Sequence, residues 1–128
     1  MKEKVITALK VEPGKHPEIT KLSNDLDSLQ KAVSIGADYQ GLIELISIDD
    51  ENLILCNEEG KLIGLEPNRR FREDVICGVF YVVSQNSEGD ITSLSAAMQD
   101  RYARMFWEPE IIDAEEVNML TLYRLLPL

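Results

Sequence analysis

The chain has a single histidine, two cysteines and no run of glycines, and each shortage removes a class of chemistry. His16 stands between Pro13 and Pro17 in a turn that reads as exposed. One histidine without a cluster of cysteines or acids excludes the common zinc patterns. As a general base it would need a partner that the sequence does not name, and its titration range is the only argument in its favour. Cys56 and Cys77 each sit inside an apolar run, where a free thiol behaves as a small hydrophobe. The expectation is two buried free thiols on strands. Two cysteines without a secretory signal point to a reducing, cytoplasmic compartment. Met1-Lys2-Glu3-Lys4 runs straight into a short strand-like stretch with no long apolar region, which does not fit a signal peptide. No segment approaches the roughly 18 apolar residues needed to span a bilayer. Gly60, Gly64 and Gly78 are isolated, and no Lys-Ser or Lys-Thr pair follows a glycine run, so there is no phosphate-cradling loop. No serine lies in a nucleophile elbow. These absences argue against a hydrolase, kinase, metalloenzyme or dinucleotide enzyme of standard type. No cofactor and no metal site are expected, and a non-enzyme is the better expectation.

Positive charge is also scarce. Thirteen bases face 23 acids, for a formal net charge of −10. Generic nucleic-acid binding needs lysines and arginines to neutralise phosphates, so it is disfavoured, and anionic membrane surfaces are disfavoured for the same reason. Such charge favours solubility. Two sharper readings are attraction to a basic partner and mimicry of DNA. A length of 128 residues is one ordinary domain, which buries roughly two-thirds of its unfolded surface. An apolar fraction of 45% and a charged fraction of 28% are those of a globular chain. No linker, internal repeat or low-complexity segment is present.

Local patterns divide the chain into elements. Val5 to Val11 is β-branched and apolar and reads as a strand, ended by Glu12-Pro13-Gly14. Glu18 to Leu22 suits its hairpin partner. Asn24 reads as an N-cap, with Asp25 and Asp27 in the first helical turn and Leu26, Leu29 and Val33 at helical spacing. Gly36 suits the left-handed position after the helix. Leu42 to Ile48 and Leu53 to Cys56 read as strands around the acidic turn Asp49-Asp50-Glu51. Asn57 to Gly60 fits a hairpin turn with Gly60 at φ > 0, returning along Lys61 to Leu65 as a further strand. Pro67-Asn68-Arg69-Arg70 reads as a loop. Val75 to Ser84 is the longest strand candidate, with apolar residues on both parities, as in a central strand covered on both faces. Ser93 reads as an N-cap for a helix whose stripe is Leu94, Met98, Tyr102 and Met105, with Asp100 and Arg104 paired on the far side. Trp107-Glu108-Pro109 ends that helix. Asp113 to Leu128 suits a helix through Val117, Leu120 and Arg124, or an edge strand over Leu122 to Leu126. The expected fold is α+β, a mainly antiparallel sheet of about four to six strands with two or three helices on one face. Residues 1–106 form a single domain in this reading, and 107–128 a C-terminal tail packed on it.

Two side-chain groups remain as candidates. Asp49, Asp50 and Glu51 are adjacent, whereas a calcium loop spreads its ligands over about twelve residues, so a solvated turn is the better reading. Arg69, Arg70 and Arg72 concentrate positive charge beside Asn68 in an acidic chain. Guanidinium groups on a loop clamp carboxylates or phosphates bidentately. The competing reading pairs them with Glu73 and Asp74 at the surface. Asn68, Arg69 and Arg70 are the candidate binding residues.

Several segments, in order, resemble a known family. Val11-Glu12-Pro13-Gly14-Lys15 with Pro17-Glu18 is similar to its N-terminus, and Gly41-Leu42-Ile43-Glu44 to its second strand. Asn57-Glu58-Glu59-Gly60-Lys61-Leu62, then Leu65 and Pro67-Asn68-Arg69, resemble its most distinctive stretch. Gly78, Phe80, Val82 and Val83, then Thr92-Ser93-Leu94, resemble its late strand and helix opening. The likeness spans residues 5 to 106. The family is a small domain of unknown function found in bacteria, phages and mobile elements. The resemblance implies a cytoplasmic accessory protein and carries over no catalytic residue. By analogy with small acidic proteins in such settings, it implies binding of a host protein, so an unknown protein partner is the expectation. The alternative is a small enzyme or small-ligand binder using the Asn68–Arg72 loop.

Overall fold

A computed structural model describes residues 3–125, with side chains as far as Leu122. Its centre is an antiparallel sheet. β1 (Val5–Val11) pairs with β2 (Glu18–Ser23) through a turn in which Gly14 takes φ 75°. β3 (Ile43–Ser47) pairs with β4 (Asn52–Asn57). Numbered in chain order, β5 (Pro67–Phe71) and β6 (Asp74–Cys77) form a separate two-stranded sheet. β7 (Phe80–Gln85) lies between β1 and β4, giving the order β2-β1-β7-β4-β3, and the short β8 (Ile91–Thr92) pairs with β7. Three helices complete the described residues: α1 (Leu26–Ala32), α2 (Ala96–Met105) and α3 (Ala114–Leu125). The class is α+β, as expected.

The central strand is legible in its composition. Phe80, Tyr81, Val82 and Val83 are all buried, which an apolar run on both parities requires. Leu9, Val11, Ile54, Cys56, Phe80 and Val82 meet Leu94, Tyr102 and Phe106 from the α2 segment on one face. Ile6, Ala8, Leu53, Leu55, Tyr81 and Val83 meet Leu29 and Val33 from the α1 segment on the other. Each large side chain sealed this way contributes about 1.5–3 kcal/mol. The helices therefore cover both faces, correcting the expectation of one.

Several local expectations are overturned. The strand read over Val75 to Ser84 is broken at Gly78, whose φ of 87° turns β6 away from β7. Pro67 to Arg70 is strand rather than loop, because β6 is free to pair with it. Lys61 to Gly64 is a succession of turns rather than a strand, with Ile63 N–H donating to Glu59 O at 2.9 Å. The left-handed position there is held by Gly64 at φ 76°, and Gly60 does not take it. The segment after Asp113 is helical, and Val117 packs with Leu65, Val75 and Cys77. Leu122 to Leu125 are thus helix rather than edge strand, and Leu126 lies outside the described residues.

The helix caps shift by a residue or two. Asp25 caps α1, accepting from Ser28 N–H, while Asn24 is buried and donates its amide to Glu3 O and Ile91 O. Leu26, expected on the buried stripe, is exposed. Ser95 caps α2, and Ser93 serves Thr7 N–H and the Glu3 carboxylate instead. Phe106 replaces Met105 on the buried stripe. The Asp100–Arg104 pair forms at 3.2 Å.

Asp49 does more than solvate a turn. Its carboxylate accepts from Glu51 N–H and Asn52 N–H, both at 2.9 Å, from the Asn52 amide at 3.0 Å, and from the hydroxyl of buried Tyr102. The Tyr102 hydroxyl, helped by these amides, holds the Asp49 carboxyl well below the ordinary aspartate value. A depressed carboxyl stabilises the fold fully above its unfolded value of about 3.9 and loses that contribution as pH falls towards the folded value. Asp49→Asn is expected to flatten the decline in stability below about pH 4, measured as urea midpoints across acid pH. Parallel declines in both proteins would contradict it.

Candidate functional site

The arginine segment is a strand with alternating fates. Asn68 points inward, and its amide donates to Val11 O and Gly78 O, each at 2.9 Å. Its side-chain oxygen accepts from Arg69 Nη1 at 2.8 Å. Arg69 is only 1% exposed and donates further to Phe106 O at 3.0 Å, Lys15 O at 2.6 Å and Asn68 O at 3.2 Å. Burial pulls the guanidinium below its usual pKa, with Glu110 and Glu108 opposing that pull. The acceptors come from the β1–β2 turn, the hairpin and the end of α2, so one cation ties three segments. Asn68 and Arg69 are committed to this chain's own carbonyls.

Arg70 faces out. Its guanidinium forks onto Glu116 through Nε at 2.9 Å and Nη2 at 2.8 Å, and Nη1 meets Glu110 at 3.0 Å. The surface partners of the competing reading, Glu73 and Asp74, lie close along the chain. Those found lie 40 and 46 residues away. The Arg70 bonds hold the Glu116 carboxyl below its usual value. Arg72 sits in the two-residue turn between β5 and β6 at φ 57°, stacks over Phe71 at 4.8 Å and donates to Ile48 O at 3.0 Å.

Beneath this hairpin lies a half-open cleft of about 650 Å³ that no local pattern announced. β3 and β4 supply Glu44, Ile46 and Cys56; β6 supplies Ile76 and Cys77; α3 supplies Leu120. Lys61 enters from the turns after β4 and pairs with Asp74 at 2.5 Å. The Glu44 carboxylate receives only a long contact of 3.9 Å from the Cys56 thiol among the contacts described. The volume falls in the range of small-molecule sites, and an apolar floor with a few polar groups is their usual lining. Arg72 lines it as well.

Both cysteines line the cleft as buried free thiols. Burial, reinforced by Glu44, pushes Cys56 up to about 12, and burial pushes Cys77 up to about 11. Both therefore stay protonated at neutral pH and are poor nucleophiles. Native protein is expected to react slowly with a thiol reagent and urea-unfolded protein quickly, followed by absorbance with an aromatic disulfide. Fast labelling of the native state would contradict this.

His16 stacks on Trp107 with ring centroids 4.2 Å apart, and its Nδ1 lies 2.6 Å from Trp107 O. It is exposed and outside the cleft. Among the described residues no group of three or more histidines, cysteines or acids is placed to hold a metal ion. None of the described helices is long and apolar enough to cross a membrane.

Fold and site together define a small antiparallel α+β domain with a mixed apolar and charged cleft under a two-stranded hairpin. The chain belongs to the family described as Domain of unknown function (DUF3846), whose model matches residues 6–107. No curated protein and no solved structure matches the chain. α3 lies beyond the matched span, yet its Leu120 lines the cleft.

Proposed function

We propose that the protein is a binding module rather than an enzyme. Its cleft takes a compact ligand with an apolar body and one cationic or hydrogen-bond-donating group. The observation that carries this reading is the cleft of about 650 Å³ with the Glu44 carboxylate on its wall. A carboxylate beside apolar surface favours a cation that replaces lost water, and such charge-assisted bonds are about twice as strong as neutral ones. Glu44, Glu58, Glu73 and Asp74 line the cleft against Lys61 and Arg72, and Lys61 is engaged by Asp74, so the lining favours cations over anions. The protonated thiols supply no nucleophile, which supports binding over covalent catalysis.

A protein partner is the second reading, favoured by the net charge of −10. It keeps the setting implied by the family resemblance, a cytoplasmic accessory protein of phage or mobile-element type acting on a host factor. In that reading Arg70 is the member of the Asn68–Arg70 set placed to meet a partner's carboxylate, exchanging Glu110 or Glu116 for it, while Asn68 and Arg69 fix the strand that presents it.

The test of the cleft uses phenethylamine and 3-phenylpropionate as a matched cation and anion. Amide shifts at Glu44, Cys56 and Cys77 are expected with the amine alone, and Glu44→Gln is expected to weaken it about tenfold, the loss of one charge-assisted contact. No shift at these residues, or equal shifts with both probes, overturns the assignment.

A further inference from the structure

The free edge of β3 is a second feature, which shares Glu44 and Ile46 with the cleft. Ile48 N–H donates to Asn52 O, and Glu58 N–H donates to Leu42 O. In the register that pairs Ile43 with Asn57 and Ser47 with Leu53, these bonds place Leu42, Glu44, Ile46 and Ile48 in the hydrogen-bonded pairs. The backbone groups of Ile43, Leu45 and Ser47 consequently point away from β4. The sheet order ends at β3, so no described strand pairs with them.

Exposed edges in native proteins are commonly blunted by lysine, proline, a bulge or an inward charge. The opposite edge, β2, carries Glu18 and Lys21. β3 has neither a lysine nor a proline, its register runs without a bulge, and its one charge, Glu44, is acidic and lies on the cleft wall. Its outward residues share the α1 face of the sheet, where Leu45 is 45% exposed and Leu26 of α1 is 66% exposed. Between them lies a hollow of about 340 Å³ lined by Leu26, Leu29, Ile43, Leu45 and Ile91.

The charges around this edge select its occupant. Asp49-Asp50-Glu51 follow the strand directly. Asp90 lines the hollow, whereas Asp27, tied by the Gln40 amide to the segment leading into β3, is already paired with Lys31 at 2.9 Å. Glu44 stands on the other face of the same strand. A second copy would bring the same acids and a net charge of −10 against its own kind. A cationic strand would meet opposite charge at the Asp49–Glu51 end, at Asp90 in the hollow and on the Glu44 face.

We propose that β3 is a strand-addition site for an extended, basic segment of a partner protein. The segment's apolar side chains alternate onto Leu26 and Leu45, and its lysines or arginines lie on the Glu44 face. The six backbone groups of Ile43, Leu45 and Ser47 supply the main-chain bonds, and alternate side chains supply the specificity, as in other β-augmentation sites.

The probe is acetyl-Lys-Val-Lys-Val-Lys-Val-Lys-amide, compared with an analogue N-methylated at every residue so that neither edge can donate a hydrogen bond. Hydrogen exchange at the Ile43, Leu45 and Ser47 amides is expected to slow with the first peptide and not with the second. Affinity is expected to fall at least tenfold on N-methylation and to weaken with added salt. Leu45→Pro gives a second arm: it removes an outward N–H, not a bond to β4, so an edge strand tolerates it. It is expected to reduce binding at least tenfold. Equal binding of both peptides would show a diffuse acidic attraction and overturn the proposal. A dimer in sedimentation that Leu45→Pro dissolves would also overturn it, with a second copy as the occupant.

Discussion

Arg69→Ala is expected to lower the free energy of unfolding by about 3–5 kcal/mol, while Arg70→Ala leaves it nearly unchanged. The two neighbours carry the same charge, and burial separates them. Removing the Arg69 side chain strands the carbonyls of Phe106 and Lys15 and the side-chain oxygen of Asn68. A buried acceptor left without its donor costs about 1–3 kcal/mol, and the cavity adds to that. Arg70 is about half exposed, so water replaces its two glutamates at little cost. Arg69→Lys is expected to rescue little, because an ammonium cannot reproduce the fork that reaches three separate segments. Urea unfolding of the single variants at neutral pH measures both values. A loss below about 1 kcal/mol for Arg69→Ala would show that water satisfies these carbonyls and that the residue is not structural.

The contrast between these arginines marks where sequence reading reaches its limit. A run of three arginines in an acidic chain was legible as a departure from background, but Pro67-Asn68-Arg69-Arg70 read as a loop. Propensity disfavours asparagine in strands, and a buried cation is rare. What stabilises Asn68 and Arg69 is a set of carbonyls from Val11, Lys15, Gly78 and Phe106, distant along the chain and without side-chain identity. No local pattern encodes that. β1 and β7 were legible for the opposite reason. Their apolar residues speak for themselves, and on β7 both parities are sealed by partners of any apolar kind. Helix caps fell one or two residues off because Asn24-Asp25 and Ser93-Leu94-Ser95 each offer two capable side chains. Glu3 and Ile91 take the Asn24 amide and Glu3 takes Ser93, 90 residues away, which leaves Asp25 and Ser95 to cap. The cleft was invisible because β3, β4, β6 and α3 each lend it one or two residues whose spacing in sequence carries no period.

Gly60→Val is expected to cost several kcal/mol, and Gly60→Ala about 1–3 kcal/mol, for a reason the hairpin reading did not contain. A left-handed Gly60 would have explained the residue by backbone freedom. Its φ lies outside that region, so alanine would fit the backbone and even gain slightly from a stiffer unfolded chain. The obstacle is instead a neighbour. A Cβ on Gly60 would stand 2.6 Å from Cys77 O and 3.4 Å from Cys77 C. Those atoms belong to the main chain at the end of β6, where Cys77 pairs with Pro67 and the next N–H donates to Glu66 O at 2.7 Å. A flexible side chain could swing aside, but this carbonyl cannot move without pulling the hairpin off the cleft. The comparison that isolates the cause is Gly64→Ala. Gly64 has φ 76° and nothing within 4 Å of an added Cβ, so it carries strain alone, worth about 1–2 kcal/mol. If contact governs Gly60, its alanine variant loses stability and shifts the amides of Cys77 and Gly78, whereas Gly64→Ala leaves those amides in place. If Gly60→Ala is neutral or stabilising, the close approach to Cys77 is wrong, and with it the seat of the hairpin over the cleft.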